Sequence, residues 1–186
     1  AGNTERAEQF LAELQAEFPE GQFTIHQGKV EDADDCRRTI AEVIEKHGKL
    51  DILVNNAGIT RDKTINKMTD EDWSAVINVN LSGAFYLAQA ALNHMIERGT
   101  GRVVNVSSII GETGNIGQAN YAASKAGLFG LTKTLAREAA FQLGRAEKLT
   151  DDTIGVTINA VTPGYVLTEM VQAVPEKVLD KIARRL

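Results

Sequence analysis

Cysteine is almost absent: Cys36 stands alone, so no disulfide can close within the chain. Positive charge is scarce as well. Twenty Lys and Arg face 25 Asp and Glu for a formal net charge of −5, and no basic run is long enough to track a phosphate backbone. Nucleic acid is therefore not an expected partner. No signal-like apolar segment opens the sequence and none later on reads as a membrane span, so no membrane partner is expected and the cytoplasm is the expected location. His26, His47 and His94 lie far apart in no metal-ligand spacing and read as surface or packed imidazoles, with no metal expected. Repeats and low-complexity tracts are missing too.

What is present is alternation. With 43% apolar residues in 186, the chain can bury one substantial core, and a single domain over residues 1–186 is expected. Ala7, Phe10, Leu11, Leu14 and Phe18 form a helical stripe across residues 4–18 that stops at Pro19 and Gly21. Residues 22–27 read as a short strand, and 33–47 as a helix with Ile40, Val43 and Ile44 inward and Gly48 closing it. The run "LDILVNN" is too short for a helix and reads as a buried parallel strand. Thr69 and Asp72 stand at capping-box distance and open a helix that runs to about Arg98. A strand follows at 101–107, a long helix at 120–143 and a strand at 154–161, ended by Pro163 and Gly164. Strand and helix in repeated order predict an α/β fold, a doubly wound parallel sheet of the Rossmann-like kind with helices on both faces.

Ligands in such sheets gather beyond the carboxyl ends of the strands. The polar residues Asn55 and Asn56, Ser107 and Ser108, and the turn at Pro163 and Gly164 all fall there. The loop 108–118 is followed by a helix that carries Tyr121 and Lys125. Residues four apart stand one above the other on a helix, so the ammonium can lie beneath the phenol. A free tyrosine ionises near pH 10 and is a poor proton donor near neutrality; a neighbouring cation favours its phenolate. Ser108 at a strand end can donate to a carbonyl oxygen whose charge grows during reaction.

Five motifs, "NNAG" at 55–58, "VNL" at 79–81, "SS" at 107–108, "YAASK" at 121–125 and "PG" at 163–164, resemble the short-chain dehydrogenase/reductases in order and spacing. Within that family, "NNAGITRD", "GQANYAASKAG" and "PGYVLTEM" look most like the acetoacetyl-CoA reductases and β-ketoacyl carrier-protein reductases. The resemblance implies a set of roles. Tyr121 would protonate the carbonyl oxygen as hydride arrives from a nicotinamide, Ser108 would hold that oxygen, and Lys125 would bind the nicotinamide ribose and favour the phenolate. Asn80 would kink the helix 70–98 and hold a water that links Lys125 to solvent.

Cofactor contacts follow in the same way. Asn56, Ala57 and Gly58 would end a strand beneath the cofactor, where small residues allow close backbone approach. Val30 would pack on adenine, although Lys29 replaces the Asp that many relatives place before that valine. Pro163 and Gly164 would flank the nicotinamide, and Thr168 would bond its carboxamide. Arg6 would meet a ribose 2′-phosphate and favour NADP over NAD. Gln118 and Tyr165 would contact the acyl or pantetheine end of a thioester on coenzyme A or an acyl carrier protein. The expected reaction is NADPH-dependent reduction of a 3-oxoacyl thioester. Another carbonyl, such as a sugar or steroid, and a non-catalytic nucleotide-binding subunit remain the alternatives. A Ser108 hydrolase is disfavoured, because no histidine base stands near it in the sequence.

Helices 70–98 and 120–143 carry broad apolar surfaces, including Phe85, Leu87, Leu92, Leu128, Leu131 and Leu135. Part would cover the sheet, and relatives use the rest to pair subunits, so a homotetramer is expected. The segment "GRAEKLTDDT" at 144–153 reads as an inserted surface loop or an extra helical turn. Family members begin with a strand, a glycine-rich TGxxxGxG turn, a helix and a second strand, and usually end on a further helix and strand. None of this precedes Ala1 or follows Leu186. The strands at 22–27 and 50–54 would each pair with one of the preceding strands, and bare edges are avoided in proteins. The fold is thus expected to be incomplete at both ends, and intact mass spectrometry of the protein is expected to exceed 20.2 kDa; a mass equal to that value overturns the expectation.

Overall fold

The computed structural model describes residues 4–150 and 152–164. In chain order the elements are α1 (Thr4–Glu17), α2 (Ala33–His47), β1 (Ile52–Asn55), α3 (Asp70–Ile77), a π-helical turn (Asn78–Ser82), α4 (Gly83–Arg98), β2 (Gly101–Val106), α5 (Ile110–Thr113), α6 (Ala119–Arg145) and β3 (Val156–Val161). The described strands form a parallel sheet in the order β1-β2-β3, with Leu53 opposite Val103 and Val103 opposite Ile158. This is the α/β, Rossmann-like arrangement expected from the alternating pattern.

The helix ends follow their local chemistry. Thr69 caps α3 through its side chain, which accepts from the Asp72 N–H, while the Asp72 carboxylate accepts from the Thr69 N–H. Asp32 caps α2 by accepting from the backbone of Asp34 and Asp35, and Gly48 ends it in the left-handed region at φ 76°. Core residues lie on one face of the sheet. Leu53, Val103, Val156 and Ile158 meet Ala88, Ala91, Leu92 and Met95 of α4 and Leu135, Ala139 and Leu143 of α6, with Ile40 of α2 behind α4. The run 70–98 is apolar and long enough to cross a membrane by composition. Its capping box, its π-helical interruption and the burial of Ala88, Ala91 and Met95 against the sheet make it a core element. On the opposite sheet face Ile52 and Val54 are 60% and 54% exposed.

The expected strand at 22–27 is not one: the segment pairs with no strand among the described residues. A strand needs a ladder to satisfy its backbone. Side chains hold this stretch against α2 instead. Thr24 Oγ1 lies 2.9 Å from His26 Nε2 and 3.0 Å from His47 Nε2, and His26 Nδ1 lies 2.8 Å from Glu42 Oε2. The segment after α6 is a loop that docks on the end of α4, where the Lys148 ammonium donates to the carbonyl oxygens of Ile96 and Glu97. A cation on those C-terminal carbonyls also suits the helix dipole.

Gly83, the first residue of α4, marks the tightest backbone approach near the strand ends. A Cβ there would stand 2.7 Å from the Val30 carbonyl oxygen and 3.1 Å from Val30 Cβ. Replacing a helical glycine by alanine ordinarily stabilises by about 1 kcal/mol, whereas forcing a group into filled space costs roughly 1–3 kcal/mol. Because the neighbour is backbone and cannot rotate away, the clash wins. Gly83→Ala is expected to lower the urea midpoint of the protein; an unchanged or raised midpoint overturns the packing argument.

Candidate active site

The loop after β2 is pinned from two sides. The Ser107 N–H donates to Val161 O at 2.8 Å and the Ile109 N–H to Pro163 O at 3.2 Å, which joins it to the end of β3. The Ser107 hydroxyl donates to Lys125 O at 2.7 Å, which joins it to α6. α5 then lies against α6 so closely that a Cβ on Gly111 would meet Lys125 C at 2.8 Å and Ala126 N at 2.9 Å. Ser108 is buried at the strand end, and its Oγ accepts from the Ile110 N–H at 3.2 Å.

Tyr121 and Lys125 stand one turn apart on α6, with Lys125 Nζ 5.6 Å from the centre of the Tyr121 ring. Lys125 as a whole is only 4% exposed. It donates to the Val106 carbonyl oxygen at 2.7 Å and makes no ion pair among the described residues. Burial pushes its pKa below the ordinary lysine value.

Asn80 sits in the π-helical turn, 2% exposed. The extra residue of such a turn breaks the regular ladder, a feature common where side chains must be aimed. Its Oδ1 accepts from the Ile59 N–H at 2.8 Å, and its Nδ2 donates to Ile59 O at 3.0 Å and Ser124 Oγ at 3.2 Å. Ser124 in turn donates to Tyr121 O at 2.7 Å. The loop after β1 is thereby held beside α6. A Cβ on Gly58 would stand 3.5 Å from Asn80 Oδ1 and 3.7 Å from Lys125 Nζ, so the glycine leaves open the space beside the ammonium.

The other expected site residues divide. Val30, Asn56 and Ala57 border one small cavity with Asn55, Gly83 and Leu87. Pro163 is tied to the Ser108 loop as above, and Gly164 follows it, exposed. Arg6 lies elsewhere, on α1, which buries no residue. Gln118 is held by loop neighbours: its Nε2 donates to Asp62 Oδ2 at 3.1 Å and its Oε1 accepts from Asn115 Nδ2 at 2.8 Å. Lys29 uses its backbone N–H on Asp35 at 2.8 Å. Tyr165 and Thr168 lie outside the described residues.

Asn120 and Ser124 were not anticipated, Asn55 and Ser107 were expected only as polar residues at strand ends, and a buried chain runs from Asn55 Nδ2 to Asn105 Oδ1 and from Asn105 Nδ2 to Thr132 Oγ1, each bond 2.8 Å. A lone Asn inside the apolar strand "RVVNV" was the available signal for the last. Asn55 Oδ1 is buried without a partner among the described residues, beside the Val30 cavity. An ammonium with one acceptor among the described residues, a glycine that keeps space free beside it and an acceptor at the strand end unpaired among those residues together fit a polar cofactor such as a nicotinamide dinucleotide.

Lys125 also carries a pH signature. Its folded pKa lies below the unfolded value, so the unfolded chain binds more protons across that window and stability must rise with pH there. The cost of burying the charge is fully present below the folded pKa and disappears as pH rises toward 10.5. Unfolding of Lys125→Met is expected to lack the part of the rise that wild type shows over this window; identical slopes for the two proteins overturn the assignment.

A profile of the family described as short chain dehydrogenase matches residues 1–179. The chain is 44% identical over 181 residues to an acetoacetyl-CoA reductase of Shinella zoogloeoides and 46% identical over 181 residues to one of Rhizobium meliloti, in each case covering 97% of this chain and 67% of the relative. It is 40% identical over 186 residues to a 3-oxoacyl-(acyl-carrier-protein) reductase of Staphylococcus aureus, covering all of this chain and 70% of the relative. The chain belongs to the short chain dehydrogenase family and is, with that family, a nicotinamide-dependent oxidoreductase.

Proposed function

We propose that the protein reduces a 3-oxoacyl thioester, carried on coenzyme A or on an acyl carrier protein, to the 3-hydroxyacyl thioester with NADPH. The observation that carries the reading is the buried Lys125 ammonium one turn below Tyr121, 5.6 Å from its ring, at the strand ends where Ser108 stands. Relatives named for these two thioesters, at 40–46% identity, support the substrate class.

A bound NADPH supplies the hydride that adds to the C3 carbonyl carbon. The chain's own residues handle the oxygen. Ser108 donates a hydrogen bond to it, and the Tyr121 hydroxyl transfers its proton to it, leaving a phenolate beside the Lys125 ammonium. A positive charge that burial has stripped of water, with a single acceptor among the described residues, acts on that phenolate more strongly than an exposed one would. Asn80 keeps the Gly58–Ile59 loop in place beside the ammonium, and Lys125 Nζ retains donors for ribose hydroxyls. Val30, Asn56 and Ala57 take the nucleoside end, Pro163, Gly164 and Thr168 the nicotinamide end, and Gln118 and Tyr165 the acyl or pantetheine end. The preference for NADPH rests on the resemblance, which gives Arg6 the role of partner to a 2′-phosphate; in the structure Arg6 does not border the Val30 cavity.

We assign subunit contact to the outer sides of α4 and α6, where Phe85 and Phe141 stay exposed and a groove is lined by Phe85, Ile96 and Gln142. Light scattering of the full protein reads the tetramer this implies. One buried thiol, Cys36, fits a reducing cytoplasm.

Loss of absorbance of NADPH, and of NADH, with acetoacetyl-CoA tests the reaction. Wild type is expected to oxidise NADPH faster, and Tyr121→Phe to lower kcat by roughly 10²–10⁴-fold, the range for a lost general acid. No oxidation with any thioester overturns the substrate class, and full activity in Tyr121→Phe overturns the mechanism.

A further inference from the structure

None of the roles above uses Asn120, yet its side chain is fully buried, with 0% exposure, and every one of its hydrogen-bonding groups is engaged by backbone. Nδ2 donates to the carbonyl oxygens of Arg61 and Asp72, each at 3.1 Å. Oδ1 accepts from the backbone N–H of Tyr121 at 2.7 Å. One amide therefore joins the loop after β1, the first turn of α3 and the first turn of α6.

The start of α6 explains why such a clamp is needed. The first N–H groups of a helix have no partner within it and ordinarily turn to the N-cap side chain. Here the N-cap is Gln118, which makes no capping bond because its amide is held by Asp62 and Asn115. Asn120 supplies the missing acceptor from inside the turn, to the N–H of Tyr121 itself. It also ties that turn to Arg61, in the loop whose earlier residue Ile59 is gripped by Asn80 and whose next residues bond the 117–118 turn through Lys63 N–H to Gly117 O at 2.8 Å. The loop 58–63 is thus fixed at one end next to Lys125 and at the other next to Tyr121.

Resting on the proposed reaction, we infer that Asn120 is a positioning residue for proton transfer: its three backbone bonds set where the Tyr121 phenol stands relative to the Lys125 ammonium and the Gly58 loop. Asparagine suits the task because it offers two donors and one acceptor on a short stem. Aspartate keeps the acceptor for Tyr121 and turns carboxylate oxygens toward two carbonyls, while serine and alanine lose the reach. A displacement near 1 Å at a reacting group costs on the order of 10²-fold in rate.

The test compares the full-length protein with Asn120→Ser, Asn120→Asp and, as a control that also cuts bonds to backbone but away from the mouth, Lys148→Met, which removes the donor to the Ile96 and Glu97 carbonyl oxygens. Steady-state kinetics, thermal midpoints and the appearance of phenolate absorbance with pH are measured, the last as the difference between each protein and its Tyr121→Phe counterpart without cofactor. Both Asn120 variants are expected to lose about 10- to 100-fold in kcat with little change in KM for NADPH, and to move the phenolate titration upward. Lys148→Met is expected to lower the thermal midpoint and leave the titration in place. Equal loss of kcat in all three at matched midpoints, with an unmoved titration, overturns the inference. If Asn120→Ser does not fold, Asn120→Asp, which retains shape and the Tyr121 acceptor, decides alone. A wild-type protein inert toward thioesters removes the substrate reading, while the titration still decides the role of Asn120.

Discussion

A buried ammonium is the constraint around which this molecule is arranged. Taking Lys125 out of water is costly, and no carboxylate among the described residues compensates it; a carbonyl oxygen at the end of β2 is its protein acceptor. A chain keeps such a group only where the surrounding structure over-determines it. Here the bonds run both ways across one contact: Lys125 donates to Val106, and Ser107 donates back to Lys125 O. Gly111 lets α5 lie directly on the same turn. The strand end, the Ser108 loop and α6 therefore move as one body, and the phenol above the ammonium inherits that rigidity.

The second fixed point is the loop after β1. Its backbone at Ile59 is read by Asn80 on both its N–H and its carbonyl, a pairing of the kind a neighbouring strand would provide. Delivering one side chain to a peptide in this way requires leaving the regular helix ladder, and the π-helical turn at Asn78–Ser82 does so. Asn80 then reaches Ser124, and Ser124 reaches Tyr121 O. Strand end, helix and loop close on each other through polar bonds that are nearly all satisfied, which is the condition under which a buried polar network rigidifies a site.

Much of the fold was legible because it is locally coded. Thr69 with Asp72, the Gly48 end of α2 and the apolar strands needed only nearest neighbours in sequence, and the structure places them where those signals point. The strand expected at 22–27 failed for the opposite reason, since pairing is a property of two segments and its partner is not in the described residues. Among site residues, Tyr121 and Lys125 were visible from helical spacing and Ser108 from its place at a strand end, and the family resemblance added Asn80. The roles of Ser124 and Asn120, and the partner of Ser107, were invisible because their work is done on backbone of segments 18 to 59 residues away, or on the turn that holds the phenol, and no spacing rule encodes such partners. The π-helical turn was foreseeable only as a kink.

The interior changes character along the strands, and that gradient locates the chemistry. Toward the strand beginnings the inward positions are Leu53, Val103, Val156 and Ile158, packed on α4 and α6. One step further, at Asn55 and Asn105, the same face becomes polar, and two residues on it is Ser107. An apolar replacement at these positions would pack well and avoid the cost of drying out amides. The Asn55–Asn105–Thr132 chain, with Asn55 Oδ1 lacking a partner among the described residues at its end, instead binds both strands to α6 at a defined register, because a slip would break both of its bonds. Register at this level decides whether Ser108 and Lys125 meet at all: a slip of one residue on β2 would turn Ser108 to the other face of the sheet and remove the Val106 carbonyl from the ammonium. Polar burial just below the mouth thus exchanges some stability for a single alignment of strand and helix, the alignment on which the candidate site depends.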